Sequence, residues 1–229
     1  MSFGQNLQYL RRLHNKMTQE ELADIVHVSR QTVSRWELDG TYPEMDKLIE
    51  LCRLFSCTMD DLVSNDLNVC SEAYSDICVT EVGSFNYIRY AVISAEPEED
   101  AISHVRRWAD ACGVDNPDII GWDFPVLSQE QINVYHMHGY AAAWVLPDNI
   151  DLSDKAEVIR QEKHRYAKIT ITNPFSEPFS VIPNAYKTLM SYMQINGIRH
   201  IEDKSILPCF EREYDSDGTH YMDVYIAAE

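Results

Sequence analysis

Apolar residues at helical spacing dominate the first 64 positions of the chain. Phe3, Leu7, Leu10 and Leu13 recur every three residues or so, as on one face of a helix. Residues suited to capping a helix N-terminus stand before the later apolar runs. The pattern predicts an all-α domain of five short helices over residues 1–65; the later helices start beside Thr18, Ser29, Met45 and Thr58. Residues 66–77 carry no clear periodicity and are predicted to be a linker.

The character of the sequence changes near residue 78, where β-favouring runs alternate with two helical stretches. The helices are predicted over 97–112 and 183–196. The β-favouring runs are 79–92, 119–124, 132–146, 164–172, 207–214 and 221–227. The order strand, helix, strand, strand occurs twice. The chain is therefore predicted to be multidomain, with residues 78–229 forming an α+β domain of duplicated units around a groove.

The segment TQEELADIVHVSRQTVSRWE, residues 18–37, has the spacing of two short helices joined by a tight turn. Ala23, Ile25, Val28, Val33 and Trp36 are expected to form the small core that fixes the angle between them. With Val33 and Trp36 inward, the second helix turns guanidinium, amide and hydroxyl groups outward. Such groups can contact base edges and phosphates; they belong to Arg30, Gln31, Thr32, Ser34 and Arg35.

Residues 3–64 resemble the Cro/C1-type (XRE-family) helix-turn-helix domain. The motifs that match are TQEELA, VSRQTVSRWE, the G-x-x-P at Gly40 and Pro43, and LIELCRLFSCTMDDL. One position departs: His27 occupies the turn where the family usually has glycine. Histidine tolerates a positive φ better than a branched residue does, so the turn is expected to be retained.

The resemblance implies that this segment binds operator DNA. It places the second helix in the major groove and the start of the first helix on the DNA backbone. Base-edge or groove contacts are implied for Gln31, Thr32 and Arg35, and phosphate contacts for Thr18, Gln19 and the loop that ends at Tyr42. The alternative is a helix-turn-helix that serves only as a protein-interaction module.

Alternation along the last two strands assigns their side chains to faces. Glu211 and Glu213 share one face of the first strand. In the second strand, Met222, Val224 and Ile226 form an apolar face suited to a covering helix, whereas Tyr221, Asp223 and Tyr225 form the other. If Glu211 lies on the side away from the helices, carboxylates and phenols line one open groove. Such a groove favours cationic, partly apolar ligands.

Residues 79–229 resemble the GyrI-like (AraC-type effector-binding) domains. The resemblance is carried by LPCFEREYDSDGTHYMDVYIAAE at the end of the chain and by PFSVIPNAYKTLMSYMQINGI before it. In that family a glutamate on a late strand often meets the ligand, which implies this role for Glu211, with Glu213 as the fallback. Trp122 and Tyr140 are further candidates for the ligand site, although a place in the core is the favoured interpretation for both.

The net charge of −18 argues at first against nucleic-acid binding. Residues 1–66 hold 7 Lys and Arg against 11 Asp and Glu, a net charge of −4, so most of the acidity lies outside the proposed DNA-binding segment. Phosphate contacts act over roughly a Debye length, and the charge of the docking face therefore matters most. The acidic remainder predicts weak non-specific DNA binding.

Other features narrow the class of protein. The N-terminus has no secretory signal and no apolar run approaches the ~20 residues that span a bilayer, so a cytoplasmic location without membrane contact is expected. The six cysteines are scattered and are expected to be reduced thiols. His136 and His138 would share one face of a strand, but no third metal ligand is evident. No cofactor is expected.

Three functions remain open. The first is a homodimeric regulator that binds double-stranded DNA and responds to a small-molecule effector. In the second, residues 79–229 are an interaction or dimerisation module with a filled groove. The third is a hydrolase with Glu211 as general base. Because the sequence contains no nucleophile triad, phosphate-binding glycine loop or metal set, we expect a regulator rather than an enzyme.

Overall fold

The computed structural model describes residues 2–67, 69, 71–124, 127–150, 152, 156–201 and 203–229. Contacts divide the chain into a helical unit, residues 1–74 and 178–199, and a sheet unit, residues 75–177 and 200–229. The domain boundaries expected at 65/66 and 77/78 stay a prediction; Asn68 and Cys70 of the predicted linker lie outside the described residues.

The five N-terminal helices form as the capping pattern predicts. They are α1 (Phe3–Leu13), α2 (Gln19–Ile25), α3 (Arg30–Glu37), α4 (Met45–Leu54) and α5 (Met59–Val63). The side chains of Thr18, Ser29 and Thr58 each accept a hydrogen bond from a backbone amide in the first turn that follows. Each cap satisfies a helical amide that otherwise has no acceptor, and so marks where its helix begins.

The turn between α2 and α3 has the expected backbone but a different core residue. His27 has a φ of 53°, which confirms the expected positive φ at this turn. Ile25, expected in the core, is 43% exposed, whereas its neighbour Val26 is fully buried. Leu22 and Val26 are four residues apart and point the same way along the helix, so Val26 packs inward and Ile25 faces outward.

A buried ion pair joins α1 to the end of α3. Arg11 donates to both carboxylate oxygens of Glu37, at 2.5 and 3.0 Å, and their side chains are 9% and 2% exposed. Arg11 also donates to the carbonyl of Met17, and Gln19 Nε2 donates to Glu37 at 2.8 Å. At Gly4, a Cβ would lie 2.5 Å from the carbonyl oxygen of Glu37. The pair and this close approach fix the placement of α3.

The helical unit also contains α8 (Pro178–Ile195), which lies late in the chain. Tyr9 of α1 donates to Thr188 at 3.4 Å, and its pKa is raised by burial. Asn196, just after α8, donates to the carbonyl of Leu13 at 3.1 Å, and Gln194 donates to that of Ser56 at 3.1 Å. The residues predicted to be the second helix of the C-terminal domain therefore contact the N-terminal helices.

The described strands of the sheet unit form one eight-stranded sheet. Their order is β1-β6-β8-β7-β3-β4-β2-β5. The strands are β1 (Tyr74–Val82), β2 (Phe85–Ser94), β3 (Asp118–Asp123), β4 (His138–Val145), β5 (Ile159–Gln161), β6 (His164–Thr172), β7 (Cys209–Ser216) and β8 (Thr219–Ala227). With α6 (Pro97–Ala111), the chain order β2-α6-β3-β4 is repeated as β6-α8-β7-β8. The two sets occupy mirrored places in the strand order, which confirms the predicted duplication.

Three predicted elements differ from the structure. The run 79–92 is two strands, because a turn at Gly83 and Ser84 separates β1 from β2. The run 132–146 begins in α7 (Gln129–Asn133), which Ser128 caps. His136 has a φ of 51° and lies outside β4, so it shares no strand face with His138. None of the helices in the described part of the chain has the length and apolarity needed to cross a bilayer.

The sheet has a different hydrophobic core on each face. On the helix-side face, Ala101, Val105 and Ala109 of α6 pack in one cluster with Trp144 and Ala142 of β4. On the opposite face, a second cluster is formed by aromatic and aliphatic side chains that include Tyr87, Trp122, Tyr166, Phe210 and Tyr225. Because the cores lie on opposite faces, the face on which a strand residue lies determines its surroundings.

Replacing Glu37 with alanine is expected to destabilise the helical unit by about 3–5 kcal/mol, because the Arg11 guanidinium then stays buried without its counter-ion. The double variant Arg11→Met/Glu37→Leu is expected to recover most of that loss. Urea unfolding followed by far-UV circular dichroism measures both. A loss of less than about 1 kcal/mol for the single variant contradicts the assigned role of the pair.

Candidate functional site

The outward face of α3 presents the polar side chains expected there. Arg30, Gln31 and Arg35 are exposed, and Thr32 and Ser34 are half-buried. Within the described part of the chain, the guanidinium groups of Arg30 and Arg35 form no hydrogen bond and no ion pair. Both guanidinium groups are therefore available to a partner outside the chain. The inward residues Val33, Trp36 and Glu37 are buried, as the spacing of the helix requires.

The residues expected to contact phosphates have different surroundings. Thr18 is exposed and caps α2 through the amide of Glu21. Gln19 is half-buried and donates to Glu37, so its amide nitrogen is engaged within the fold. Tyr42 is 67% exposed, and its ring centroid lies 5.7 Å from that of Phe3. Thr18 and Tyr42 are accessible at the surface, whereas Gln19 also supports the buried ion pair.

A groove of about 630 Å³ lies in the sheet unit beside α6. Its lining includes Ile102 and Arg106 of α6, Gly121 of β3, Tyr140 of β4 and Glu211 of β7. All of its lining residues belong to the sheet unit. The size is that of a small-molecule site.

Strand register decides which of the predicted ligand residues share this groove. Glu211 pairs with Val224 of β8 and with Gly121 of β3. Directly paired residues point to the same side of a sheet, so Glu211 and Glu213 lie on the helix-side face. The sequence-based hypothesis placed Glu211 and its groove on the side of the sheet away from the helices. The structure places both on the helix side instead. The carboxylates face α6 together with Tyr140.

The remaining aromatic candidates lie on the opposite face. Trp122 and Tyr225 are each 8% exposed in the core of that face. Tyr221 pairs with Tyr214, and their stacked rings have centroids 5.5 Å apart. Asp223 accepts hydrogen bonds there from Thr170, Tyr225 and Lys168, among others. Trp122, Tyr221 and Tyr225 do not line the groove that contains Glu211, and this separation corrects the expectation of one shared site.

Tyr140 fits the groove because its neighbour on β3 lacks a side chain. A Cβ at Gly121 would overlap the phenol oxygen of Tyr140. Burial raises the pKa of Tyr140, and nearby carboxylates, Glu211 first among them, raise it further. The phenol therefore stays protonated and can donate a hydrogen bond next to Glu211.

Two further carboxyl groups act electrostatically on Tyr140 from outside the lining of the groove. Burial raises the pKa of Glu98 above its ordinary value, and the charges of Glu213 and Asp123 add to the rise. Burial likewise raises the pKa of Asp123, with a smaller opposing effect from His138. The sequence signal of Glu98 was ambiguous, because residues 96–100 are also typical of an acidic first helical turn.

Comparison with known proteins identifies the N-terminal part. Residues 7–62 match the helix-turn-helix family HTH_3. These residues form a helix-turn-helix domain. The HTH-type transcriptional activator BcrR of Enterococcus faecalis is 42% identical over 66 residues, which are 29% of this chain and 32% of BcrR. The chain thus spans about a third of the length of this curated relative. The match confirms the resemblance expected for the helix-turn-helix domain.

Two solved structures resemble larger parts of the chain. EcmrR, solved in a complex with DNA, has 12% identity and a TM-score of 0.47, and the similarity covers 92% of this chain and 98% of EcmrR. SAV2435, solved with tetraphenylphosphonium, has 15% identity and a TM-score of 0.40 over 68% of this chain and 94% of its own.

Within the part of this chain that the structure describes, no group of three His, Cys, Asp or Glu side chains could hold a metal ion.

The raised pKa of Glu98 makes stability depend on pH. A carboxyl group whose pKa is raised by folding contributes stability below its unfolded pKa and loses it as pH rises through the folded value. We therefore expect Glu98→Gln to raise the melting temperature by roughly 1–3 °C at about pH 7 and to leave it unchanged at about pH 4. Thermal melts at both pH values measure this, with the exposed Glu157→Gln as control. An equal effect of both variants contradicts the assignment.

Proposed function

We propose that the protein is a transcriptional regulator that binds double-stranded operator DNA through the helix-turn-helix domain. The exposed polar face of α3 carries this proposal. Arg30, Gln31 and Arg35 offer donors that suit guanine edges, adenine edges and phosphates. The buried Arg11–Glu37 pair anchors the far end of α3, so binding does not need to order this helix first. We further propose a homodimer that places two such helices on successive turns of an operator.

The second part of the proposal is that the groove of the sheet unit binds a cationic, partly apolar small molecule. Glu211, Glu213 and Tyr140 supply the negative and aromatic chemistry, and Ile102 supplies an apolar wall. Carboxylates attract a cation most strongly where burial excludes water, and Tyr140, which lines the groove, is buried. A cationic ligand stabilises the ionised carboxylates and offsets their mutual repulsion.

The two parts together describe an effector-responsive regulator. An effector changes operator affinity only if it binds one arrangement of the DNA-binding helices better than another. The helix α8 is a candidate for the element that transmits this preference, because it follows β6 of the sheet in sequence and contacts α1 through Thr188.

For DNA binding, Arg35→Ala is expected to reduce operator affinity by about 1–3 kcal/mol, because a guanidinium that reaches a base edge is lost. Gln31→Ala is expected to act in the same direction. Genomic fragments selected with the full chain described above at low salt supply the DNA, and fluorescence anisotropy gives the affinity. Arg12→Ala, which removes an exposed arginine of α1 instead, is the control. Unchanged affinity for both α3 variants contradicts the placement of α3 in the groove.

For ligand binding, tetraphenylphosphonium is a suitable probe because it combines a positive charge with aromatic surface. Glu211→Gln is expected to weaken its binding roughly tenfold, or about 1.4 kcal/mol, because one carboxylate charge is lost. Calorimetric titration of the full chain measures the dissociation constant. Glu157→Gln, an exposed carboxylate that does not line the groove, is the control. Equal binding by wild type and Glu211→Gln contradicts the assigned role.

A further inference from the structure

Three carboxylates follow one another along the groove side of β7, and an imidazole stands at their end. Alternation puts Glu211, Glu213 and Asp215 on the helix-side face of β7. His220 of β8 is the direct cross-strand partner of Asp215 and therefore lies on the same face. Glu211, Glu213, Asp215 and His220 all line the groove. The sheet register thus places the imidazole of His220 directly beside the three carboxylates of β7.

Both ring nitrogens of His220 contact a carboxylate. Nδ1 lies 2.9 Å from Asp215 Oδ1, and Nε2 lies 3.2 Å from Glu213 Oε2. A neutral imidazole has one donor and one acceptor, whereas the protonated ring donates from both nitrogens. Since a carboxylate only accepts, the imidazolium is the form that satisfies both contacts. The ring of Phe175 lies beside it, with centroids 5.5 Å apart and planes tilted by 30°.

We propose that His220 is an internal cation of the groove that competes with the cationic effector for Glu213 and Asp215. This inference rests on the proposed function of the groove and adds the residue that makes effector binding depend on pH. With His220 protonated, the two carboxylates are neutralised from within and the effector has to displace the imidazolium. When His220 loses its proton, their negative charge becomes available to the effector.

The other charged groups of the groove do not supply this competition. Arg106 of α6 is exposed, and Arg212 lies 3.2 Å from Asp118 in an ion pair of its own. Arginine also keeps its charge throughout the ordinary pH range, whereas histidine changes charge between about pH 5 and pH 8. Asp110 of α6 and Asp115 add negative charge to the groove. The charge of Glu213 also acts on Glu98, which lies outside the lining. A carboxyl group, however, cannot act as the displaced cation. His220 is therefore the proton-linked cation among the described lining residues.

Two substitutions distinguish the effect of the positive charge at position 220 from that of having a polar side chain there. His220→Gln keeps polar atoms there without a charge, and His220→Lys keeps a positive charge throughout the range. Tetraphenylphosphonium binding to the full chain is measured by calorimetry at about pH 6 and about pH 8. We expect wild-type affinity to rise about 5–10-fold between the two. His220→Gln is expected to bind as tightly at both as wild type does at about pH 8, and His220→Lys to bind weakly at both.

The control is His200→Gln, which replaces a histidine that does not line the groove and is expected to keep the wild-type pH profile. Circular dichroism melts confirm that each variant is folded. If His220→Gln shows the same rise in affinity as wild type, this inference is overturned while the proposed ligand site stands. If neither wild type nor any variant binds the probe at either pH, the ligand site and the inference are overturned together.

Discussion

The pairing of β3 with β7 is the constraint on which the groove depends. It joins the two duplicated strand sets at the centre of the sheet and places Gly121 opposite Glu211. Because side chains alternate with a period of two, a slip of one residue would move Glu211 to the opposite face. The phenol of Tyr140 needs the space that Gly121 leaves. The short β3–β7 pairing therefore determines both the face on which Glu211 lies and the position of the Tyr140 ring beside it.

In the helical unit a comparable role falls to the ion pair of Arg11 and Glu37. It ties α1, the start of α2 and the end of α3 together through hydrogen bonds that are largely shielded from water. Desolvation makes such a pair a weak source of net stability, but it makes the loss of one partner severe. The main effect of the pair is therefore to fix the relative positions of α1, α2 and α3. It holds the buried side of α3 in place, so the residues on the exposed face of this helix are not needed for packing.

Local rules explain what the sequence could predict. Hydroxyl caps at Thr18, Ser29 and Thr58 and the periodic apolar residues located all five N-terminal helices, because both signals act within a few residues. Strand runs were found for the same reason. The hairpin turn at Asp217 and Gly218 pairs Glu211 with Val224, whose face was predicted to pack against a helix, so a local signal for the face of Glu211 existed and was missed. Its place beside Gly121 could not be found, since that strand lies about 90 residues away in sequence.

Other misses have equally specific causes. The five-residue α7 lies in a run whose composition favours strands, and only its Ser128 cap signals the helix. The three-residue β5 is too short to show alternation. The choice of Ile25 over Val26 for the core was wrong by one position, which a helical pattern of seven residues resolves poorly. The raised pKa of Glu98 arises from burial and from proximity to Glu213 of β7 and Asp123 of β3, which only the folded chain creates.

The place of α8 in the chain has a consequence for dissection of the molecule. The helix lies between β6 and β7, yet it belongs to the helical unit. The chain therefore passes between the units more than once, and no single cleavage of the backbone can release either of them whole. A fragment that begins after the linker carries α8 without Tyr9 and Leu13, which exposes surface that is covered in the intact chain. Proteolytic fragments of this protein are thus expected to aggregate or stay associated.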